Sequence, residues 1–193
     1  ANNNAANTTG ITVLGNLLED PTVTILGKGD ADGVTVSGSG VSWTATYTAV
    51  TADAEGIVPF TINFFDDSGN PGAEVDATIG ESNVEFDKTP PTLDAVSIIS
   101  SNTNAPAGTL AKSLDVITLS VTADNFIQKP TITIAGNSVG VTISPANDGA
   151  RFYTSTYTMQ PDDVTAAELA FTLDFLALAG NEVAQLTHFF GTA

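Results

Sequence analysis

Pro21-Thr-Val-Thr-Ile-Leu-Gly27 returns as Pro130-Thr-Ile-Thr-Ile-Ala-Gly136, 109 residues further along the chain. Two more blocks return in the same order: residues 43–48 as 153–158 at an offset of 110, and residues 60–64 as 171–175 at an offset of 111. Three blocks in one order at a nearly constant offset indicate a tandem duplication, with single-residue changes in the loops between them. A unit of about 110 residues is too long for a solenoid turn and suits one β-sandwich, so we expect two.

Apolar and polar residues alternate along most segments of both copies. Val41, Trp43, Ala45 and Tyr47, for example, alternate with Ser and Thr. A period of two indicates strands with one buried face, and Thr is a β-branched residue that tolerates solvent on the other. The sequence therefore predicts an all-β, antiparallel fold with about seven strands in each unit. Trp43 and its counterpart Tyr153 are predicted as core anchors.

Lys88-Thr-Pro-Pro91 marks the boundary between the two units. Two prolines remove two backbone donors and restrict φ, so this segment cannot continue a strand ladder. The sequence predicts a short Pro-Pro linker at residues 88–91, with one sandwich at residues 10–87 and the other at residues 92–193. Residues 1–9 are polar and rich in Asn, and they are predicted as a flexible leader.

The two units are out of phase. Residues 92–115 have no counterpart before Ile11, and residues 83–86 have no clear counterpart after Phe190. Domain 1 is therefore predicted to lack an opening segment, and domain 2 to lack its last strand. Either the chain is cut from a longer array of repeats, or a neighbouring subunit supplies a strand. Because an open edge must be covered in either case, the predicted partners are neighbouring repeats or copies of the chain, at both chain ends.

Composition excludes several classes of function. The chain has 22 acidic and 5 basic residues among its 193, a net charge of −17, which opposes binding to nucleic acids and to anionic membranes. It has no apolar run long enough to insert into a membrane. With no cysteine and a single histidine, His188, neither a zinc site nor a catalytic triad has support. The sequence therefore predicts a protein that is not an enzyme.

Acidic residues cluster at predicted turns and suggest one possible ligand, Ca²⁺, which takes about six to eight oxygen ligands. Asp53 and Glu55 could join such a cluster, but Asp66-Asp67 is replaced by Ala177-Leu178 in the second copy, so a site there would not be repeated. The alternative is that these residues are ordinary turn formers. The candidate metal ligands are Asp30, Asp32, Asp66, Asp67, Asn70 and Asp87.

A resemblance to a known family covers almost the whole chain from Ile11. It is carried by Phe86-Asp-Lys-Thr-Pro-Pro-Thr-Leu93, by Ile117-Thr-Leu-Ser-Val-Thr-Ala123, by Tyr153-Thr-Ser-Thr-Tyr157 and by Gly180-Asn181. In this order, these motifs resemble the bacterial Ig-like repeats of large secreted adhesins and biofilm-associated surface proteins. The resemblance implies two tandem Ig-like sandwiches at the bacterial cell surface or outside the cell. There they would act as an adhesin stalk or spacer or, alternatively, as a fibre or surface-layer subunit assembled head-to-tail by donated strands.

Overall fold

The chain folds almost entirely as short antiparallel strands in several small sheets. The computed structural model describes residues 6–12, 16–104, 108–163, 168–183 and 185–191. The chain divides between Lys88 and Thr89 into two compact units, which we call the N-terminal and C-terminal units. Within the described ranges, no helix has the length and apolar character needed to cross a membrane.

The N-terminal unit contains seven strands within its described residues. Its sheets have the orders β1-β4-β3, β2-β6 and β5-β7, and every pairing is antiparallel. A 3₁₀ turn at Asp30–Asp32 lies between β2 and β3. The strands are β1 (Ala6–Thr12), β2 (Thr22–Ile25), β3 (Thr35–Ser39), β4 (Ser42–Thr48), β5 (Gly56–Ile57), β6 (Phe60–Asn63) and β7 (Glu85–Phe86).

The C-terminal unit also contains seven strands within its described residues. They form one sheet of order β11-β12-β9-β8 and one of order β10-β13-β14. The strands are β8 (Leu93–Ser100), β9 (Val116–Ile127), β10 (Thr131–Ile134), β11 (Thr142–Ser144), β12 (Ala150–Thr158), β13 (Glu168–Asp174) and β14 (Leu186–Gly191).

The duplication extends to strand register. Thr48 of β4 pairs with Ala6 of β1, and Thr158 of β12 pairs with Val116 of β9. Both residues of the second pair therefore lie 110 positions after those of the first. β1 is therefore the counterpart of β9, as β4 is of β12. Since a slip of one residue would turn every side chain to the other face, the shared register gives both units the same inward-facing positions.

Inward positions on the central strands β4 and β12 anchor the two cores. Trp43 and Tyr153 are 8% and 0% exposed, which confirms their prediction as core anchors. Each polar tip finds a backbone acceptor: the Trp43 indole N–H donates to the carbonyl of Gly40 at 3.1 Å, and the Tyr153 hydroxyl to that of Asn147 at 2.9 Å. The prediction that Val41 continues this strand is wrong, because Val41 is exposed and lies before the first residue of β4.

The same two-residue turn follows β2 and β10. Leu26 and Gly27 have φ values of 55° and 71°, and Ala135 and Gly136 have 54° and 78°. Two successive positive φ angles fit the right-handed twist of a tight hairpin. The repeated Pro-Thr-Xaa-Thr-Ile block is therefore a strand followed by a turn whose first residue is not glycine.

Residues 6–9 correct the predicted leader, 1–9. They begin β1 and pair with β4 instead of forming a flexible segment, because the extended backbone gains ladder hydrogen bonds from a distant strand. Residues 1–5 lie outside the described residues. So do residues 164–167.

Side-chain hydrogen bonds hold the first residue of the predicted linker and the residue that follows it. On the N-terminal side, the Lys88 ammonium donates to the carbonyls of Thr51 at 2.9 Å and Asp53 at 2.8 Å. On the C-terminal side, the Thr92 backbone N–H and hydroxyl each donate to the Asp124 carboxylate at 2.8 Å. These contacts fasten each unit close to the point where the linker leaves it.

Ser155 provides a test of the equivalence between the units. Its hydroxyl is fully buried and has no hydrogen-bond partner among the described residues, and the equivalent residue in the N-terminal unit is Ala45. We expect Ser155→Ala to stabilise the C-terminal unit by about 1 kcal/mol, because an unsatisfied buried hydroxyl is removed. Urea denaturation measures the change. The converse substitution, Ala45→Ser, should destabilise the N-terminal unit, and a loss of stability in Ser155→Ala would contradict this account.

Candidate functional site

In the N-terminal unit, a buried tyrosine–aspartate pair joins the end of β4 to the loop that follows it. The Tyr47 hydroxyl donates to the Asp53 carboxylate at 2.9 Å, and the Val50 backbone N–H donates to the same oxygen at 2.8 Å. The Val50 N–H is the main cause that holds the pKa of Asp53 below its usual range, although burial opposes it. Burial and the bond to Asp53 raise the pKa of Tyr47. Asp53 is therefore held as a carboxylate beside a protonated tyrosine.

The C-terminal unit repeats this pair at an offset of 110. The Tyr157 hydroxyl donates to the Asp163 carboxylate oxygens at 2.9 and 3.0 Å, and the Gln160 backbone N–H donates at 2.6 Å. Burial is the main cause that raises the pKa of Tyr157. The Asn137 side chain also donates to Asp163, at 2.9 Å. Its counterpart, Lys28, acts in the N-terminal unit through its charge, which helps to lower the pKa of Asp53.

These pairs assign a structural role to a residue that the sequence analysis considered for calcium. Asp53 caps its own loop and satisfies a buried hydroxyl, so its carboxylate is already engaged. The signal was present in the sequence, because a Tyr followed six positions later by an Asp occurs at the same place in both copies.

Asp66 is also engaged within its own turn. Its carboxylate accepts hydrogen bonds from the Ser68 and Asn70 backbone N–H groups at 2.9 and 2.8 Å, and from the Asn70 side chain at 2.9 Å. The Asn70 side chain is the largest of the causes that lower the pKa of Asp66. At the equivalent turn, Ala177 keeps the backbone bond to the Asn181 carbonyl without any carboxylate. Asp66 therefore reinforces a turn that also forms without it.

The other candidate calcium ligands lie on separate elements. Asp30 and Asp32 are exposed in the 3₁₀ turn, Asp67 is exposed beside Asp66, and Asp87 is half-buried directly after β7. Across the described residues, no three His, Cys, Asp or Glu side chains converge in a way that could hold a metal ion. Calcium binding at these residues stays a prediction.

Several sheets have an edge strand whose outer side is unpaired within the described residues. β1 lies at one edge of its sheet and β14 at one edge of another, and within the described part of the chain no strand pairs with the outer side of either. Such an edge presents a row of backbone donors and acceptors to any extended segment. That neighbouring repeats or copies of the chain cover open edges at both chain ends stays a prediction.

His188 and the neighbouring carboxylates Asp162 and Asp163 are side chains of the types that take part in acid–base catalysis. His188 lies on β14, where it pairs with Phe171 of β13. Of the pair Asp162-Asp163, Asp163 is hydrogen-bonded to Tyr157 and Asp162 is exposed.

A cleft of ≈ 430 Å³ in the C-terminal unit is lined by Gln128, Lys129, Thr131, Asp174, Phe175, Leu176, Glu182 and Val183.

Comparisons with known proteins do not assign the chain to a family. No family model matches the sequence, and no curated protein is significantly similar to it.

Acid should weaken the N-terminal unit through Asp53. Because its folded pKa lies below the ordinary value of about 4, its contribution is complete above that value and is lost as the pH falls through the folded pKa. We expect Asp53→Asn to lower the stability measured by urea denaturation at pH 7, and the difference from the unmodified chain to shrink below about pH 4. Asp67→Asn, on the exposed neighbour of Asp66, is the control and should change little. A constant difference for Asp53→Asn at every pH would contradict this role.

The calcium hypothesis predicts a melting temperature that falls when EDTA is added and recovers with excess Ca²⁺, because a ligand bound only to the folded state stabilises it. Differential scanning calorimetry measures the shift. A double variant, Asp66→Asn with Asp67→Asn, should abolish it if these residues bind the ion. An unchanged melting temperature in EDTA would remove the hypothesis.

Proposed function

We propose that the chain is a non-enzymatic structural module of a bacterial cell-surface or extracellular protein. In this proposal its two tandem Ig-like β-sandwiches act as an adhesin stalk or spacer. The observation that carries the proposal is that the contacts repeated in both units are those that build a scaffold. They include the buried tyrosine–aspartate pairs and a hydroxyl pair between neighbouring strands, Thr24 with Thr61 at 2.8 Å and Thr133 with Thr172 at 2.6 Å.

Packing within each unit supports the sandwich. In the C-terminal unit, buried residues from β9 and β12 of one sheet join residues from β10 and β13 of the other in a single hydrophobic cluster. In the N-terminal unit, Trp43 and Tyr47 of β4 share a cluster with Val23 and Ile25 of β2. Two antiparallel sheets that share one core are the architecture of Ig-like domains.

The polar side chains that differ between the two units also support a structural role. The carboxylates of Asp66 and Asp67 become Ala177 and Leu178, while the hydrogen bonds of the turn backbone remain. A series of modules needs each unit to fold in the same way and needs no polar cluster common to all. The net charge of −17 favours solubility at a crowded surface.

A second function, a fibre or surface-layer subunit assembled head-to-tail by donated strands, is favoured by the unpaired outer edges of β1 and β14. One edge lies early in the chain and the other late, so contacts between unlike edges of successive copies would generate an open polymer.

Electron microscopy and analytical ultracentrifugation of the purified chain separate these two functions. As a stalk, the chain should sediment as a 19.7 kDa monomer at every concentration and appear as isolated short rods. Filaments that persist on dilution would contradict the stalk and support strand-mediated assembly, because a full ladder of backbone hydrogen bonds dissociates slowly.

A further inference from the structure

The two units differ in what lies beside their corresponding strands β1 and β9. In the C-terminal unit, β8 pairs antiparallel with β9 on the side opposite β12. Its side chains Leu93, Val96 and Ile98 pack against the core, and the next residue after each of the last two, Ser97 and Ile99, is exposed. In the N-terminal unit, no strand within the described residues occupies the same position beside β1.

β8 shows what kind of strand fits that position. Because β1 and β9 share one register, the residues of β9 that pair with β8 have counterparts on β1. Val96 pairs with Val121, the counterpart of Ile11, and Ile98 pairs with Leu119, the counterpart of Thr9. A strand placed beside β1 in this way would run antiparallel to it, with apolar residues at alternate positions towards the core.

Two positions call for a strand of this kind, one beside β9 and one beside β1. The described part of the chain contains only one such strand, β8. β8 begins directly after the linker and is already paired with β9 over most of its length, so it cannot cover β1 without uncovering β9. A strand for β1 must therefore come from outside the part of the chain described here. Edge strands that recruit an extended segment gain affinity from main-chain hydrogen bonds and specificity from alternate side chains.

We propose that the outer edge of β1 is an acceptor site for the opening strand of a repeat unit. The donated strand has the pattern of residues 93–100, runs antiparallel to β1, and completes the core of the N-terminal unit as β8 completes that of the C-terminal unit. This proposal rests on the strand-mediated function described above, and it specifies the edge, the direction and the side-chain pattern.

A synthetic peptide with the sequence of residues 92–101 tests the site on the full chain. Fluorescence anisotropy should show saturable binding of one peptide per chain, and the melting temperature should rise with peptide concentration. Hydrogen–deuterium exchange should show new amide protection in residues 6–12. No saturable binding up to millimolar peptide would overturn the proposal. Protection gained at β14 instead, or lost from the chain's own β8 through exchange at β9, would also overturn it.

Two variant peptides with equal charge isolate the side-chain pattern. A peptide with Val96→Asp and Ile98→Asp changes the face that packs against the core, and it should lose at least tenfold in affinity. A peptide with Ala95→Asp and Ser97→Asp changes the exposed face, and it should bind nearly as well as the unmodified peptide. Equal losses in both peptides would show that charge alone governs binding and would overturn the proposal.

The result of the peptide-binding experiment can be distinguished from that of electron microscopy. If the purified chain forms filaments but does not bind the peptide, strand-mediated assembly stands and the acceptor site on β1 is rejected. If the peptide binds and protects β1 while the chain stays monomeric, the acceptor site stands and self-assembly is rejected.

Discussion

A tyrosine hydroxyl buried at the end of a central strand needs an acceptor, and both units meet this need in the same way. The chain turns back after the strand and places an aspartate against the hydroxyl, where a backbone N–H of the same loop holds the carboxylate. Leaving such a group unpaired in a core costs more than the bond itself contributes. The loop conformation and the rotamer of the inward tyrosine near the end of each central strand are therefore specified together.

Around this constraint, the two copies have diverged where the backbone tolerates it. Lys28 acts on Asp53 by charge, whereas Asn137 in the same position donates a hydrogen bond to Asp163. Ala45 faces one core and Ser155 the other. Each exchange changes one side chain and leaves the strand register intact. A duplicated scaffold thus keeps its hydrogen-bonded backbone while the polar groups around it change.

Much of this arrangement could be predicted from sequence, because alternation along a strand reports burial directly. It identified the core positions of Trp43 and Tyr153. It did not identify β1, since residues 6–9 are polar and become a strand only through pairing with β4, which is distant in sequence. Nor did it separate the role of Asp53 from metal binding. A carboxylate in a loop has the same local signature whether it accepts hydrogen bonds from the backbone or binds an ion.

The bonds at the two ends of the linker have a consequence for a chain under tension. A force that draws the two units apart acts first on residues 88–92, and Lys88 and Thr92 are fastened by side-chain bonds to Thr51, Asp53 and Asp124. Those few bonds would bear load before any strand ladder did, and they can break and reform while both cores stay intact. The prolines between them cannot lengthen by unwinding a helix or a hairpin. Extensibility at this point is thus limited to a short, reversible step.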